Sequence, residues 1–126
     1  MGAVLMTGAT GFVGMELLRR FIERGDRRIH ALVRAADDEA AAERLPAHAR
    51  LSAVAGDIEQ PGLGLSEENR ERLAQDVTTV VHCAASVSFD LSLEESRSVN
   101  VDGTRNVVDF AQRCRRLERL TYVSTA

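Results

Sequence analysis

The residues best placed to do chemistry are Thr7-Gly8-Ala9-Thr10-Gly11-Phe12-Val13-Gly14. Glycines spaced by three, entered from a short apolar run and opening an amphipathic stretch, suit a dinucleotide pyrophosphate. Gly8 allows a tight turn, Gly11 lets the backbone approach the phosphates, and Gly14 lets a helix pack close to a strand. The phosphates would rest on the N–H groups at the helix N-terminus, which begins at Phe12 and Val13, with Thr10 in the same turn. A second candidate is Arg34, at the end of the second apolar run. NAD-binding turns of this type carry Asp or Glu there, for the ribose hydroxyls. A guanidinium suits a 2′-phosphate instead, and such a charge-assisted bond contributes roughly 1.5–3 kcal/mol, about 10- to 100-fold in preference. NADP is therefore the expected cofactor, ahead of NAD.

Other chemistries lack their residues. All 16 basic side chains are arginines, so a lysine Schiff base, a P-loop lysine or a lysine proton relay cannot be completed within the chain. His30, His48 and His82 fall on different elements, so no metal site is expected, and His82 reads as a packed or hydrogen-bonded imidazole. Cys83 and Cys114 lie far apart without a Cys-x-x-Cys pair, which suits reduced thiols in a cytoplasmic protein. No Gly-x-Ser-x-Gly elbow points to a hydrolase. A formal charge of −3 supplies no field for nucleic acid. No apolar run approaches the roughly 20 residues of a membrane span.

These groups must be positioned by the elements around them. The 126 residues are 44% hydrophobic and 28% charged, which suits one domain over 1–126. Strands are expected at 3–7, 28–34, 51–55, 77–84 and 120–124. Helices are expected at about 12–24, 37–45, 66–75 and 93–116, with 60–65 as a loop and Ser66 as an N-cap. On the first helix, Val13, Leu17 and Phe21 are expected to share the buried face, leaving the arginines in solvent. Alternating strand and helix implies an α/β, Rossmann-like doubly wound parallel sheet of about five strands. Small residues after the fourth strand, Ala84, Ala85 and Ser86, would let the nicotinamide ribose approach.

Thr7 followed by Gly-x-x-Gly-x-x-Gly resembles the short-chain dehydrogenase/reductase superfamily. The pattern Asn100-Val101-Asp102-Gly103-Thr104 is similar to a signature of its extended branch. His82-Cys83-Ala84-Ala85-Ser86-Val87-Ser88-Phe89 and Tyr122-Val123-Ser124-Thr125-Ala126 resemble motifs of fatty acyl-CoA reductases and of thioester reductase domains. The resemblance runs from Thr7 to Ala126. It implies that Asp57 binds the adenine amino group, with Ile58 beside the ring. It also implies NADPH-dependent reduction of an acyl thioester, on CoA or a carrier protein, to an aldehyde or alcohol. In that chemistry Thr125, with Ser124 as fallback, would bind the carbonyl oxygen, and Asn100 would hold local backbone and a relay water.

The chain departs from the family at one point. A Tyr-x-x-x-Lys pair is implied beyond the fifth strand, whereas the sole tyrosine, Tyr122, lies within that strand and lysine is absent. The expectation is a cofactor-binding portion, with an incomplete sheet and no substrate region, that turns over nothing alone and self-associates through exposed sheet surface. Two alternatives stay open. One is another extended enzyme, of the nucleotide-sugar epimerase or dehydratase type or the hydroxysteroid dehydrogenase type. The other is a non-catalytic NADP-binding sensor.

Overall fold

The computed structural model describes residues 2–83, 94–95 and 98–123. Five strands, β1 (Ala3–Thr7), β2 (Ile29–Val33), β3 (Leu51–Ala55), β4 (Val77–His82) and β5 (Arg119–Tyr122), form one parallel sheet in the order β3-β2-β1-β4-β5. The order reverses at β1, so β2 and β4 flank it, and the segments that follow β1, β2 and β3 line a crevice at the strand C-termini. In open α/β sheets that crevice is where ligands bind.

Strand chemistry explains the central position of β1 and β4. Every residue of β1, β2 and β4 is buried, the pattern of parallel strands covered on both faces. Side chains alternate across the sheet and make two core layers. Val4, Met6, Ile29, Ala31, Val33 and Val81 pack with Leu18 of α1 (Phe12–Arg24) and Ala41 of α2 (Asp38–Glu43). On the other face Leu5, Leu32, Val54 and Val80 meet Leu73 of α3 (Glu67–Asp76) and Val107 and Phe110 of α4 (Gly103–Arg113).

Several expectations shift. On α1 the residues that go in are Gly14 and Leu18, while Leu17 and Phe21 are half-buried and Val13 is exposed. The cause is steric: a Cβ on Gly14 would run into the Gly8 carbonyl, so the helix sets Gly14 against the turn that follows β1. Within the long fourth helix the described residues are α-helical at 94–95, form a π turn at Ser98–Asp102 and are α-helical again over Gly103–Arg113. The loop expected at 60–65 contains a 3-10 turn, Pro61–Gly64, in which Leu63 is fully buried. Leu63 has a φ of 61°, the left-handed region that costs a non-glycine residue energy. Asp37 caps α2 through its side chain, accepting from Ala40 N–H at 2.8 Å, and Ser66 caps α3 through Asn69 N–H at 3.1 Å.

Candidate cofactor site

The crevice at the C-terminal edge of β1, β2 and β3 is a cleft of about 340 Å³. Its floor is the glycine turn: Gly8 at φ 73° reverses the chain after β1, and Gly11 N–H donates to Gly8 O at 3.0 Å. Gly11 is the N-cap of α1 but has no side-chain cap, so the amides of the first turn have no local side-chain acceptor. This is the donor set an anion takes at a helix N-terminus. Thr7, Gly8, Thr10 and Gly11 line the cleft.

Phe12 and Val13 are not among its lining residues. Phe12 is 97% exposed and borders a neighbouring apolar groove with Met15, Ile22 and Pro46. Any contribution from these two is through their backbone. Gly14 lies behind the turn, against Gly8.

The opposite wall carries Arg34, Arg44, Asp57, Ile58 and Glu59. Asp57 is fixed by a tight local network. Its N–H donates to Leu63 O at 2.7 Å, its Oδ1 accepts from Glu59 N–H at 2.9 Å, and its carbonyl accepts from Gln60 N–H at 3.0 Å. The strained Leu63 backbone thus holds the carboxylate at the mouth of β3. Ile58 is anchored from behind by α4, since Asn106 Nδ2 donates to Ile58 O at 2.7 Å and Gly103 leaves the Ile58 side chain its space.

Arg34 is well exposed, with Nε 3.7 Å from Asp57 Oδ2 and Nη1 3.7 Å from Glu59 Oε2. Arg44 was not foreseen. Its place at the end of α2 reads as an ordinary helix cap, yet its Nη1 donates to Arg34 O at 2.8 Å and its side chain lines the same cleft. Glu59 and Cys83 are further lining residues without a signal in the sequence.

His82 ties the pieces together. Its Nδ1 shares a hydrogen bond with Thr7 Oγ1 at 2.6 Å, and its Nε2 shares one with Thr104 Oγ1 at 3.0 Å. Thr7 Oγ1 also accepts from Cys83 N–H at 3.1 Å, and the Tyr122 ring stacks on the imidazole at 5.1 Å. Burial holds the His82 pKa below the ordinary imidazole value, so at neutral pH the ring is neutral and structural rather than a base. Burial likewise raises the Cys83 thiol, which donates to Thr7 O at 3.1 Å and remains a thiol.

Among the expected catalytic residues, Asn100 sits in the π turn, away from the cleft lining. Its Oδ1 is buried with no hydrogen-bond partner among the described residues. Local π turns and unpaired buried acceptors are both features of functional sites. Ala84, Ala85, Ser86, Ser124 and Thr125 lie outside the described residues. Among the described residues there is no cluster of three metal-ligating side chains and no helix long and apolar enough to cross a membrane.

The chain is similar to known proteins in sequence and fold. An NAD-binding family described as male sterility protein matches residues 6–126. The chain is 34% identical to the fatty acyl-CoA reductase wat of Drosophila melanogaster, over 98% of this chain and 27% of that protein. Among solved structures, the terminal R domain of the myxalamid biosynthetic pathway is 39% identical with a TM-score of 0.88, covering 99% of this chain and 35% of that one. The reductase domain of a nonribosomal peptide synthetase from Mycobacterium tuberculosis is 38% identical with a TM-score of 0.85, covering 100% and 33%. The chain thus spans about a third of the solved domains it matches and less of the curated enzyme. With its glycine turn, switch-point cleft and match over nearly every residue, the chain belongs to the male sterility family of NAD-binding, short-chain dehydrogenase/reductase-like domains.

Proposed function

We propose that this chain is the NADPH-binding portion of a reductase that converts an acyl thioester, on CoA or on a carrier protein, to an aldehyde or alcohol. The observation that carries the reading is the cleft itself: an uncapped helix N-terminus at Gly11 faces a wall with two guanidinium groups, Arg34 and Arg44. When bound, the nicotinamide cofactor supplies the hydride. The first-turn amides of α1 hold the pyrophosphate, Asp57 Oδ2 accepts the adenine amino group, and Ile58 packs against the ring. Arg34 and Arg44 take the 2′-phosphate. Ala84, Ala85 and Ser86 lie beside the nicotinamide ribose, Thr125 or Ser124 holds the substrate carbonyl, and Asn100 orders backbone and a water.

Lysine is absent and Tyr122 stacks on His82, so the chain alone binds cofactor without turnover. β5 is exposed and stands at the edge of the sheet among the described residues, where a second copy could pair with it. Calorimetric titration with NADP⁺ and NAD⁺ tests the reading. NADP⁺ is expected to bind more tightly, and Arg34→Ala to remove about 10- to 100-fold of that preference. Equal binding of the two by the wild-type chain would instead favour another extended dehydrogenase type.

A further inference from the structure

The two carboxylates on the wall of the cleft raise a question that the two arginines do not answer. Arg34 faces Asp57 Oδ2 through Nε and Glu59 Oε2 through Nη1, both at 3.7 Å. The turn that connects these acids is rigid, because Asp57 Oδ1 is engaged by Glu59 N–H and Asp57 N–H by Leu63 O. The Glu59 backbone is thus fixed by the turn, and its carboxylate lies beside a guanidinium that is 74% exposed.

Charge counting gives the consequence. Arg34 and Arg44 contribute two positive charges to the cleft, Asp57 and Glu59 two negative ones. The wall is balanced before any ligand enters. A 2′-phosphate brings further negative charge, must draw Arg34 away from both acids, and then lies near the Glu59 carboxylate. A free ribose hydroxyl meets neither cost. Asp57 differs from Glu59 in this respect, since a nucleotide offers its Oδ2 a replacement donor in the adenine amino group.

We infer that Glu59 is a specificity-setting residue: by holding Arg34 along the 57–59 turn, it weakens the discrimination in favour of 2′-phosphorylated nucleotides. The inference rests on the proposed placement of the 2′-phosphate at Arg34. It makes the cleft a moderated rather than a maximal NADP site, with Glu59→Gln as the change that strengthens it.

The test uses the full chain and two small probes, adenosine 2′,5′-bisphosphate and 5′-AMP, titrated against wild type, Glu59→Gln, Arg34→Ala and the double variant. Glu59→Gln should tighten the bisphosphate by about 3- to 10-fold and leave 5′-AMP within about twofold. The gain should shrink as salt screens the wall, and it should disappear in the Arg34→Ala background. A change of equal size for both probes, or one insensitive to salt, would make Glu59 a loop-structure residue and overturn the inference. So would an undiminished gain without Arg34. The underlying reading fails separately, if Arg34→Ala leaves the wild-type ratio of the two probes unchanged. Failure of both wild type and Glu59→Gln to bind either probe overturns the reading and the inference together.

Discussion

At the scale of single residues, the notable feature is how much rests on Thr7. It is fully buried at the junction of β1 and the glycine turn, accepts from Cys83 N–H and shares a hydrogen bond with His82. Thr7→Val keeps the shape but strands the Cys83 amide and one nitrogen of a buried imidazole. The expected cost is about 1–3 kcal/mol, read from the urea midpoint at constant slope. An unchanged midpoint would mean that a water or a rotated histidine replaces the hydroxyl. Asp57 makes the complementary case. Its position after β3 was legible from the Gly-Asp-Ile resemblance, but the buried, left-handed Leu63 that fixes its backbone was not. Nothing in Pro61-Gly62-Leu63-Gly64 announces that a leucine, rather than a neighbouring glycine, also adopts positive φ.

At the scale of elements, α2 shows what local chemistry does and does not reveal. The pair Asp37-Asp38 signals a helix start, and Asp37 is the cap. Asp38 does more than decorate the first turn: its Oδ1 accepts from Ala55 N–H at 2.8 Å and its Oδ2 from Asn69 Nδ2 at 3.0 Å. These bonds, the Ala55 one foremost, hold its pKa below the ordinary carboxylate value. They pin the six-residue α2 to the end of β3 and to α3, and so place Arg44 on the cleft. Asp38→Ala should cost about 1 kcal/mol and also weaken NADP⁺ binding, while Glu39→Ala should stay within about 0.5 kcal/mol. Equal effects of the two substitutions, measured by urea unfolding, would reduce Asp38 to a helix-dipole charge. Strand and helix positions were readable because their periodicity is local. The rotation of α1 about Gly14 was not, since it answers to a contact with the turn after β1, and nothing in the sequence marks the π turn at Ser98–Asp102.

At the scale of the whole molecule, two buried histidines couple the fold to pH. His30 Nε2 donates to Asp76 Oδ2 at 2.9 Å, which leaves Nδ1 buried and without a partner among the described residues. A proton added there would find no acceptor, and burial lowers the His30 pKa despite the neighbouring carboxylate. With His30 neutral at pH 7, the charged partner of Asp76 is Arg28, whose guanidinium is bonded to Asp76 Oδ1. Burial pulls Asp76 upward, but these hydrogen bonds outweigh it and leave its pKa below the ordinary value.

His30 and His82 are both depressed in the folded state, so below about pH 6.5 the unfolded chain binds more protons than the native one. Stability should be level from that point up to the ordinary thiol range, where the raised Cys83 and Cys114 begin to cost stability, and should fall on acidification until the native imidazoles also protonate. The depressed Asp38 and Asp76 add a second loss only further down, below the ordinary carboxylate range. Urea midpoints at about pH 7.5 and about pH 5.5 should therefore differ, with a smaller difference in His30→Asn. A level profile would mean that both rings are hydrated enough to titrate normally.

The claim on which the whole account depends is that the crevice beside β1, not another surface of the chain, receives the dinucleotide. Backbone amide shifts of the ¹⁵N-labelled chain, followed as NADP⁺ is added, test it most directly. The account predicts the largest shifts at Gly8, Gly11, Phe12, Val13, Arg34, Asp57 and Ile58, with Arg34 and Arg44 responding less to NAD⁺. Shifts confined to the apolar groove between α1 and Pro46, or to the face of β5, would contradict it.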